Sequence, residues 1–329
     1  DYTGGAEVSL YHSARGLMAR DLSVSILTIN TRMTESADDW YDLDGLHVHR
    51  VRFGSTLPGG EIYDPRVAHA VRTEIERVRP DIVHIHNASG SSLAPFTAAR
   101  RAAIPVVNTL HDHWLLCPNN MLLRDDFTVC DPAEHRHGCA NCLRRYDYWA
   151  DVPRRRQLFA RLTANALFIS PSQALIDLHV RGGYDPARFR LVRLGFAEQA
   201  SQPVKERGLR RLIQAADHGP LVAYSGGSVV IKGGNVVLAM LPHLQERLPA
   251  ARVAIAGPVE GVMAAALQEQ RANAVVLGRL PFKAMRQLFA AAGLALMPSI
   301  WPENSPVTIF ENHQVGTPVI GSRIGGIPE

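Results

Sequence analysis

Apolar runs of strand length alternate with amphipathic stretches of helix length along the first part of the chain. The strand-length runs lie at 23–29, 46–53, 81–87 and 104–112, and the helical stretches at 6–19, 64–78 and 92–102. Strands joined to helices through short links imply right-handed βαβ units and a parallel sheet. The pattern therefore predicts a protein of the α/β class.

The same alternation restarts near position 211, after a polar stretch at 197–210. Strand-length runs follow at 251–260, 294–299 and 318–322, and helical stretches at 282–292 and 306–315. We therefore predict two Rossmann-like doubly wound domains, at 1–196 and 211–329, joined by a linker at 197–210.

Composition narrows the class of protein. A chain of 329 residues can hold two domains that each bury a core, and its 46% hydrophobic and 20% charged residues are typical of a soluble globular protein. No apolar run reaches the roughly 18–20 residues that a membrane span needs. The net charge of +4 is too small to indicate nucleic-acid binding, but it suits an anionic ligand or an anionic membrane face.

These features predict a cytoplasmic protein, with a peripheral position at the inner membrane face as the alternative. Arginines and aromatic residues interleave at 144–161, which suits contact with anionic lipid, although a solvated helix face with aromatic residues in the core is the preferred explanation. The chain begins with Asp1 rather than Met and stops at Glu329 directly after a motif. We therefore expect a fragment truncated at both ends, without its first strand and terminal helices.

The most informative stretch is 297–329, where two carboxylates flank a turn. Glu303 lies in a turn rich in Pro and Asn, and Glu311 lies eight residues on, in the predicted helix. A strand–turn–helix unit points backbone N–H groups and a positive helix end at its ligand, which suits phosphate or sugar oxygens. Carboxylates bind hydroxyl groups strongly, so a ligand with hydroxyls is favoured.

Two glycine-rich loops precede predicted helices. The first contains Gly4 and Gly5, and the second runs from Gly226 to Lys232. Glycines let the backbone approach a ligand closely, and a helix start favours phosphate. The second loop is neither a Walker motif nor the G-x-G-x-x-G of dinucleotide-binding proteins, and a lone lysine in a turn is usually solvated.

The run PSIWPENSPVTIFENHQVGTPVIGSRIGGIPE, with seven residues between Glu303 and Glu311, resembles the Glu-x7-Glu signature of family-4-type glycosyltransferases. These are retaining enzymes with the GT-B fold, in which two domains face a cleft. The resemblance covers most of the chain. It implies a nucleoside-diphosphate sugar as donor and a hydroxyl group as acceptor, on a glycan, a lipid-linked intermediate or a small molecule. The reaction that the resemblance implies requires no cofactor.

The resemblance also implies roles for individual residues. His111 would face the donor sugar from the first domain, Lys232 would hold the donor phosphates with Gly4 and Gly5, and Glu311 would hold the ribose hydroxyls. His111, Lys232 and Glu303 are the implied catalytic residues, and Glu303 would orient the hexose. The other implied substrate-binding residues are Asn304, Ser305, Pro306 and Val307 for the hexose, and Arg279 in the loop 277–280 for the nucleotide base.

The chain departs from the family at one point of the donor site. The family commonly has a second basic residue in the loop where this chain has Gly226, Gly227 and Ser228. We expect the backbone amides of this loop to replace that cation. The acceptor would be chosen by loops that vary within the family, here 31–44, 55–62 and 119–145.

Polar residues at the strand ends of the first domain have several explanations. Asp112 and His113 are expected to cap the segment that follows them, and His84 to be a hydrogen-bonded core histidine. For His86 a role in the core and a role in the site are equally plausible from the sequence, since ligands bind at the carboxyl ends of parallel strands.

Four cysteines lie within a short segment. Cys117, Cys130, Cys139 and Cys142 include one C-x-x-C pair and could bind a structural zinc ion. Thiols without a metal are the alternative, and disulfides do not suit a cytosolic protein.

Three other functions fit parts of the chain: a non-catalytic sugar-nucleotide-binding protein, a sugar-nucleotide epimerase of the same fold, and an NAD-dependent oxidoreductase. The missing G-x-G-x-x-G counts against the last.

Overall fold

A computed structural model describes residues 4–31, 35–55, 57, 62–133, 152–195, 209, 212, 219–269 and 273–329. The chain divides into two compact units, residues 1–195 and residues 196–329. The linker predicted at 197–210 lies outside the described residues, apart from Leu209.

The first unit contains two sheets. Its strands are β1 (Ser25–Asn30), β2 (Ala37–Leu43), β3 (Leu46–Arg52), β4 (Val83–His86), β5 (Val106–Thr109), β6 (Ala166–Ser170) and β7 (Phe189–Leu191). Its helices are α1 (Gly5–Met18), α2 (Pro65–Val78), α3 (Ala94–Arg101), α4 (Val152–Leu162) and α5 (Gln173–Arg181). One sheet has the order β1-β3-β2, and the other is parallel throughout, in the order β4-β5-β6-β7.

Strand β2 corrects the expectation of a variable loop at 31–44. It runs antiparallel to β3, in a sheet that the sequence predicts to be parallel. The two strands meet at Asp44 and Gly45, whose φ angles of 54° and 81° are those that a two-residue hairpin turn needs. Because β2 is a sheet edge rich in aspartate, it shows no apolar run. The Asp44-Gly45 pair is the feature of the sequence that indicates this hairpin.

Helix α2 shows how local sequence defines an element. The Asp64 carboxylate accepts a hydrogen bond from the Arg66 amide at 2.9 Å, and Pro65 occupies the first helical position. Val67 and Val71 on one face are buried. Such a cap contributes about 1 kcal/mol to helix stability.

The core of the first unit holds the segment that follows β5. Trp114 and Phe159 are fully buried with ring centroids 4.8 Å apart. The buried Arg155 donates to the Trp114 carbonyl at 2.5 Å, and its guanidinium lies 3.9 Å from the centre of the Phe159 ring. These contacts anchor the chain three residues beyond His111.

The second unit is one parallel sheet in the order β10-β9-β8-β11-β12. Its strands are β8 (Leu221–Ser225), β9 (Arg252–Ala256), β10 (Ala274–Gly278), β11 (Leu294–Met297) and β12 (Val319–Gly321), and its helices are α6 (Gly234–Arg247), α7 (Gly261–Glu269), α8 (Phe282–Ala291) and α9 (Val307–His313). The order reverses between β8 and β11, which is the switch point where ligands bind in such sheets.

Strand β8 is buried on both faces, which explains its uninterrupted apolar run. Ala223 packs with Leu288 and Phe289 of α8, whereas Tyr224 packs with Val237 of α6 on the opposite face. Among the described residues, no helix is both long and apolar enough to cross a bilayer.

Candidate functional site

The glycine-rich loop after β8 lies directly on the segment that leaves β11. Gly233 has a φ of 84°, and a Cβ atom there would lie 2.0 Å from the carbonyl oxygen of Pro298. The Ile300 amide donates to the Ile231 carbonyl at 3.0 Å. The carboxyl ends of β8 and β11 therefore carry one continuous loop cluster at the switch point.

An ion pair lies at the centre of this cluster. Lys232 Nζ is 2.7 Å from Glu303 Oε1, and the side chains are 36% and 6% exposed, respectively. Lys232 Nζ also lies 5.4 Å from the centre of the Trp301 ring. The structure therefore brings two predicted site residues into contact and leaves the lysine open to a ligand.

Besides the ion pair with Lys232, two contacts fix the position of Glu303. Ser299, which makes the first of them, is not among the residues predicted from the sequence. The Ser299 hydroxyl donates to Glu303 Oε1 at 2.8 Å, and Ser299 is 1% exposed. The Gly326 amide donates to the Glu303 carbonyl at 2.7 Å, so the turn at Gly325 and Gly326 supports the Glu303 turn. Ser299 could have been found from its place at the end of the predicted strand, four residues before the carboxylate.

Glu311 lies on α9, downstream of the Glu303 turn, and has a different environment. Burial raises the pKa of its carboxyl group, and the positive charge of Arg286 opposes that shift. Within the described part of the chain, neither of its oxygens accepts a hydrogen bond. Glu311 is thus a desolvated acceptor, which suits hydroxyl donors.

The remaining predicted residues of this unit lie along the same edge. Asn304 and Ser305 continue the Glu303 turn, Pro306 has no N–H to donate, and Val307 begins α9. Arg279 follows β10, which is separated from β8 by β9 in the sheet. No contact joins Arg279 to the Lys232–Glu303 pair in the described part of the chain.

The expectation that loop amides replace the missing second basic residue finds no support at Gly226, Gly227 and Ser228. The Gly226 and Gly227 amides both donate to the Ala256 carbonyl, at 3.0 and 3.1 Å, and the Ser228 amide donates to the Pro258 carbonyl at 2.9 Å. These three N–H groups are therefore already used within the protein. Lys232 is the cation that this loop brings to the sheet edge.

The first glycine-rich loop is also internally bonded. Gly5 begins α1, and the Glu7 carboxylate accepts a hydrogen bond from the Gly4 amide at 2.9 Å. This contact satisfies one of the free amides at the helix start. A phosphate at Gly4 would have to displace it.

At the carboxyl ends of β4 and β5, His86 Nδ1 lies 2.9 Å from His111 Nε2. Burial lowers the pKa of His86 to about 2 and that of His111 to about 4, so both rings are neutral at pH 7. His84 is hydrogen-bonded to Thr109 at 2.8 Å, but its side chain is exposed, so the expectation of a core histidine is wrong.

Asp112 caps the next segment as predicted. Its carboxylate accepts from the Trp114 amide at 2.9 Å and from the Asn120 side chain at 3.0 Å. These bonds fix the chain directly after His111.

The structure describes two of the four cysteines. Cys117 and Cys130 form no disulfide within the described residues and lie near the guanidinium of Arg156. Cys139 and Cys142 lie outside the described residues. Within the described residues, no group of three or more His, Cys, Asp or Glu side chains could hold a metal ion. The predicted zinc site therefore remains a prediction.

Comparison with solved structures identifies the fold. Sucrose-phosphate synthase from Thermosynechococcus elongatus is similar with a TM-score of 0.70 at 16% identity, over 99% of this chain and 77% of that one. Anabaena HepE in complex with UDP-glucose has a TM-score of 0.62 at 19% identity, over 99% and 79% of the two chains. These similarities confirm the predicted GT-B fold.

Family models identify the class of protein as a glycosyltransferase. Residues 3–199 match the model described as Glycosyltransferase Family 4, and residues 219–329 match Glycosyl transferases group 1. Because the first match covers more than half of the sequence, the chain belongs to glycosyltransferase family 4, as the resemblance predicted.

Relatives of known activity are distant. The chain is 28% identical to the D-inositol 3-phosphate glycosyltransferase of Corynebacterium efficiens, over 87% of this chain and 76% of the relative. It is 27% identical to the protein of the same name from Mycobacterium tuberculosis, over 99% and 65%.

Proposed function

We propose that this glycosyltransferase moves a sugar from a nucleoside-diphosphate sugar to a hydroxyl acceptor with retention of anomeric configuration. The observation that carries the proposal is the Lys232–Glu303 contact of 2.7 Å at the switch point of the second unit. Similar structures contain UDP and UDP-glucose, which supports a UDP sugar as the first donor to test.

Lys232 acts on the leaving group in this proposal. Negative charge develops on the diphosphate as the glycosidic bond breaks, and a fixed ammonium stabilises that charge. An ammonium has three N–H donors, and Glu303 uses one of them. The others remain for phosphate oxygens, so no divalent metal is needed.

Glu303 orients the hexose and is a poor nucleophile. Its Oε1 accepts hydrogen bonds from both Lys232 and Ser299, which disperses the negative charge of the carboxylate. A double displacement would need a free carboxylate beside a general acid. The arrangement supports departure of the diphosphate from the face that the acceptor attacks.

The proposed binding roles follow the same logic. Glu311 would accept the ribose hydroxyls because its desolvated carboxylate has no hydrogen bond of its own within the described residues. His111 would contact the donor sugar, as the family resemblance implies. Gly4 and Gly5 would lie near the diphosphate, and the other substrate contacts would come from Asn304, Ser305, Pro306, Val307 and Arg279.

A thermal-shift panel of UDP-glucose, GDP-mannose and the free nucleotides tests donor binding, because a ligand that binds the folded state raises the melting temperature. Proton NMR of the product then tests retention through the configuration of the new anomeric centre. Stabilisation by a nucleotide sugar without transfer to any acceptor would indicate a non-catalytic binding protein. Conversion of the donor into its epimer would indicate an epimerase.

A further inference from the structure

Two neutral histidines share a hydrogen bond where β4 and β5 end. The strands are parallel, with His86 opposite Thr109, two residues before His111. His86 Nδ1 lies 2.9 Å from His111 Nε2, and the two rings are inclined by 27°. Since a neutral imidazole has one N–H and one acceptor nitrogen, this bond couples the tautomers of the two rings.

The bond leaves one nitrogen of His111 for a ligand. Within the described part of the chain, His111 Nδ1 has no hydrogen-bond partner, whereas Nε2 is bonded to His86. On the other side, the His84 ring packs against the His86 ring with centroids 4.2 Å apart, and His84 is bonded to Thr109 at 2.8 Å. His86 therefore has a ring contact with His84 besides its bond to His111.

We propose that His86 is a positioning residue: its bond to His111 Nε2 fixes the ring plane and tautomer of His111, so that Nδ1 meets a hydroxyl of the donor sugar. This inference rests on the proposed role of His111. His86 itself touches no substrate in this arrangement. Its contribution comes from orienting a ring that would otherwise rotate about its side-chain bonds.

Four variants test the idea. His86→Leu removes the hydrogen bond, and His86→Asn keeps a polar atom near the position of Nδ1. Thr109→Val is the matched control, because it removes the bond to His84 and leaves the His86–His111 bond intact. His111→Ala provides the background in which His86→Leu should have no further effect.

The first readout does not depend on the proposed function. Long-range proton–nitrogen NMR of the full chain reports the tautomer of His111. A single tautomer is expected in the wild type, in Thr109→Val and in His86→Asn, and a mixture in His86→Leu. The same tautomer population in His86→Leu and wild type would overturn the inference.

The second readout separates the sugar from the nucleotide. His86→Leu is expected to weaken UDP-glucose affinity or slow its turnover about tenfold, the effect of one lost hydrogen bond, and to leave UDP affinity unchanged. His86→Asn should recover most of that loss. An equal loss for UDP, or a further loss in the His111→Ala background, would show that His86 acts by another route. Failure of the wild-type protein to bind any nucleotide sugar would instead refute the proposed function. The NMR experiment would still show whether His86 fixes the tautomer of His111.

Discussion

The Lys232–Glu303 pair gives the sharpest prediction for the second unit. At an effective dielectric constant of about 20, two unit charges 2.7 Å apart attract by about 6 kcal/mol. Burial of the Glu303 carboxylate offsets most of this attraction, and Lys232 remains 36% exposed to water. We therefore expect the pair to contribute about 1–2 kcal/mol to the free energy of unfolding.

A double-mutant cycle measures that contribution. Lys232→Met leaves a buried carboxylate bonded to Ser299 alone, so the free energy of unfolding should fall by about 2–3 kcal/mol. Glu303→Gln keeps the shape and should cost about 1 kcal/mol. The double variant should lose less than the sum, with a coupling energy of about 1–2 kcal/mol from urea unfolding followed by fluorescence.

Ser299→Ala is the matched control for this cycle. It removes a neutral hydrogen bond from the same carboxylate oxygen and should cost about 1 kcal/mol without changing UDP affinity. Losses in the two single variants that add to within about 0.3 kcal/mol in the double variant would refute the reasoning, because independent sites are additive.

Three further predictions concern other residues of the second unit. Glu311→Ala should abolish stabilisation by UDP in a thermal-shift assay, and equal UDP affinity in variant and wild type would refute the ribose role. The raised pKa of Glu311 means that the folded state binds its proton more tightly than the unfolded state, so stability without ligand falls as pH rises through that window. Glu311→Gln should therefore flatten the fall in melting temperature above pH 4.5, and an unchanged pH profile would contradict this. Gly227→Ala should lower the free energy of unfolding by at least about 1 kcal/mol more than Gly261→Ala. Both glycines have φ near 55°, but only the Cβ at 227 would lie 2.0 Å from a carbonyl oxygen. Equal melting temperatures of the two variants would show that the loop rearranges to accept the Cβ.

The zinc prediction is settled by metal analysis of the purified chain. A site formed by the four cysteines gives close to one equivalent of zinc, which Cys117→Ser removes. Metal-free thiols give none, and all four then react with a thiol reagent once the protein is unfolded.

The order of elements could be predicted because buried parallel strands and amphipathic helices carry different apolar periods. Strand β2 could not be predicted in this way, because it lies at a sheet edge, is rich in aspartate and has no apolar run. Only the turn at Asp44 and Gly45 indicates it in the sequence. The pairing of Lys232 with Glu303 joins residues 71 positions apart. Local patterns contain no distance between such residues, so only the family resemblance placed them in the same site, and their direct contact was not predicted.

The internal bonding of the amides of 226–228 has a physical cause. A glycine-rich turn before a helix predicts free N–H groups, and the sequence cannot show that the exit of β9 passes beneath the loop. In the structure, the carbonyls of Ala256 and Pro258 take the amides of 226–228. A close backbone approach thus explains the glycines here as well as a phosphate does.

The ion pair with Glu303 makes Lys232 stabilise the transition state more than the bound donor. The ammonium is already neutralised by Glu303, so it attracts the intact donor weakly and responds most to the charge that appears as the bond to the sugar breaks. Lys232→Met should therefore lower kcat about a hundredfold, UDP affinity about tenfold and UDP-glucose affinity about threefold. Single-turnover kinetics with titration of each ligand measures the three effects. An equal loss in all three would show that the lysine binds donor and transition state alike, and that another group stabilises the leaving diphosphate.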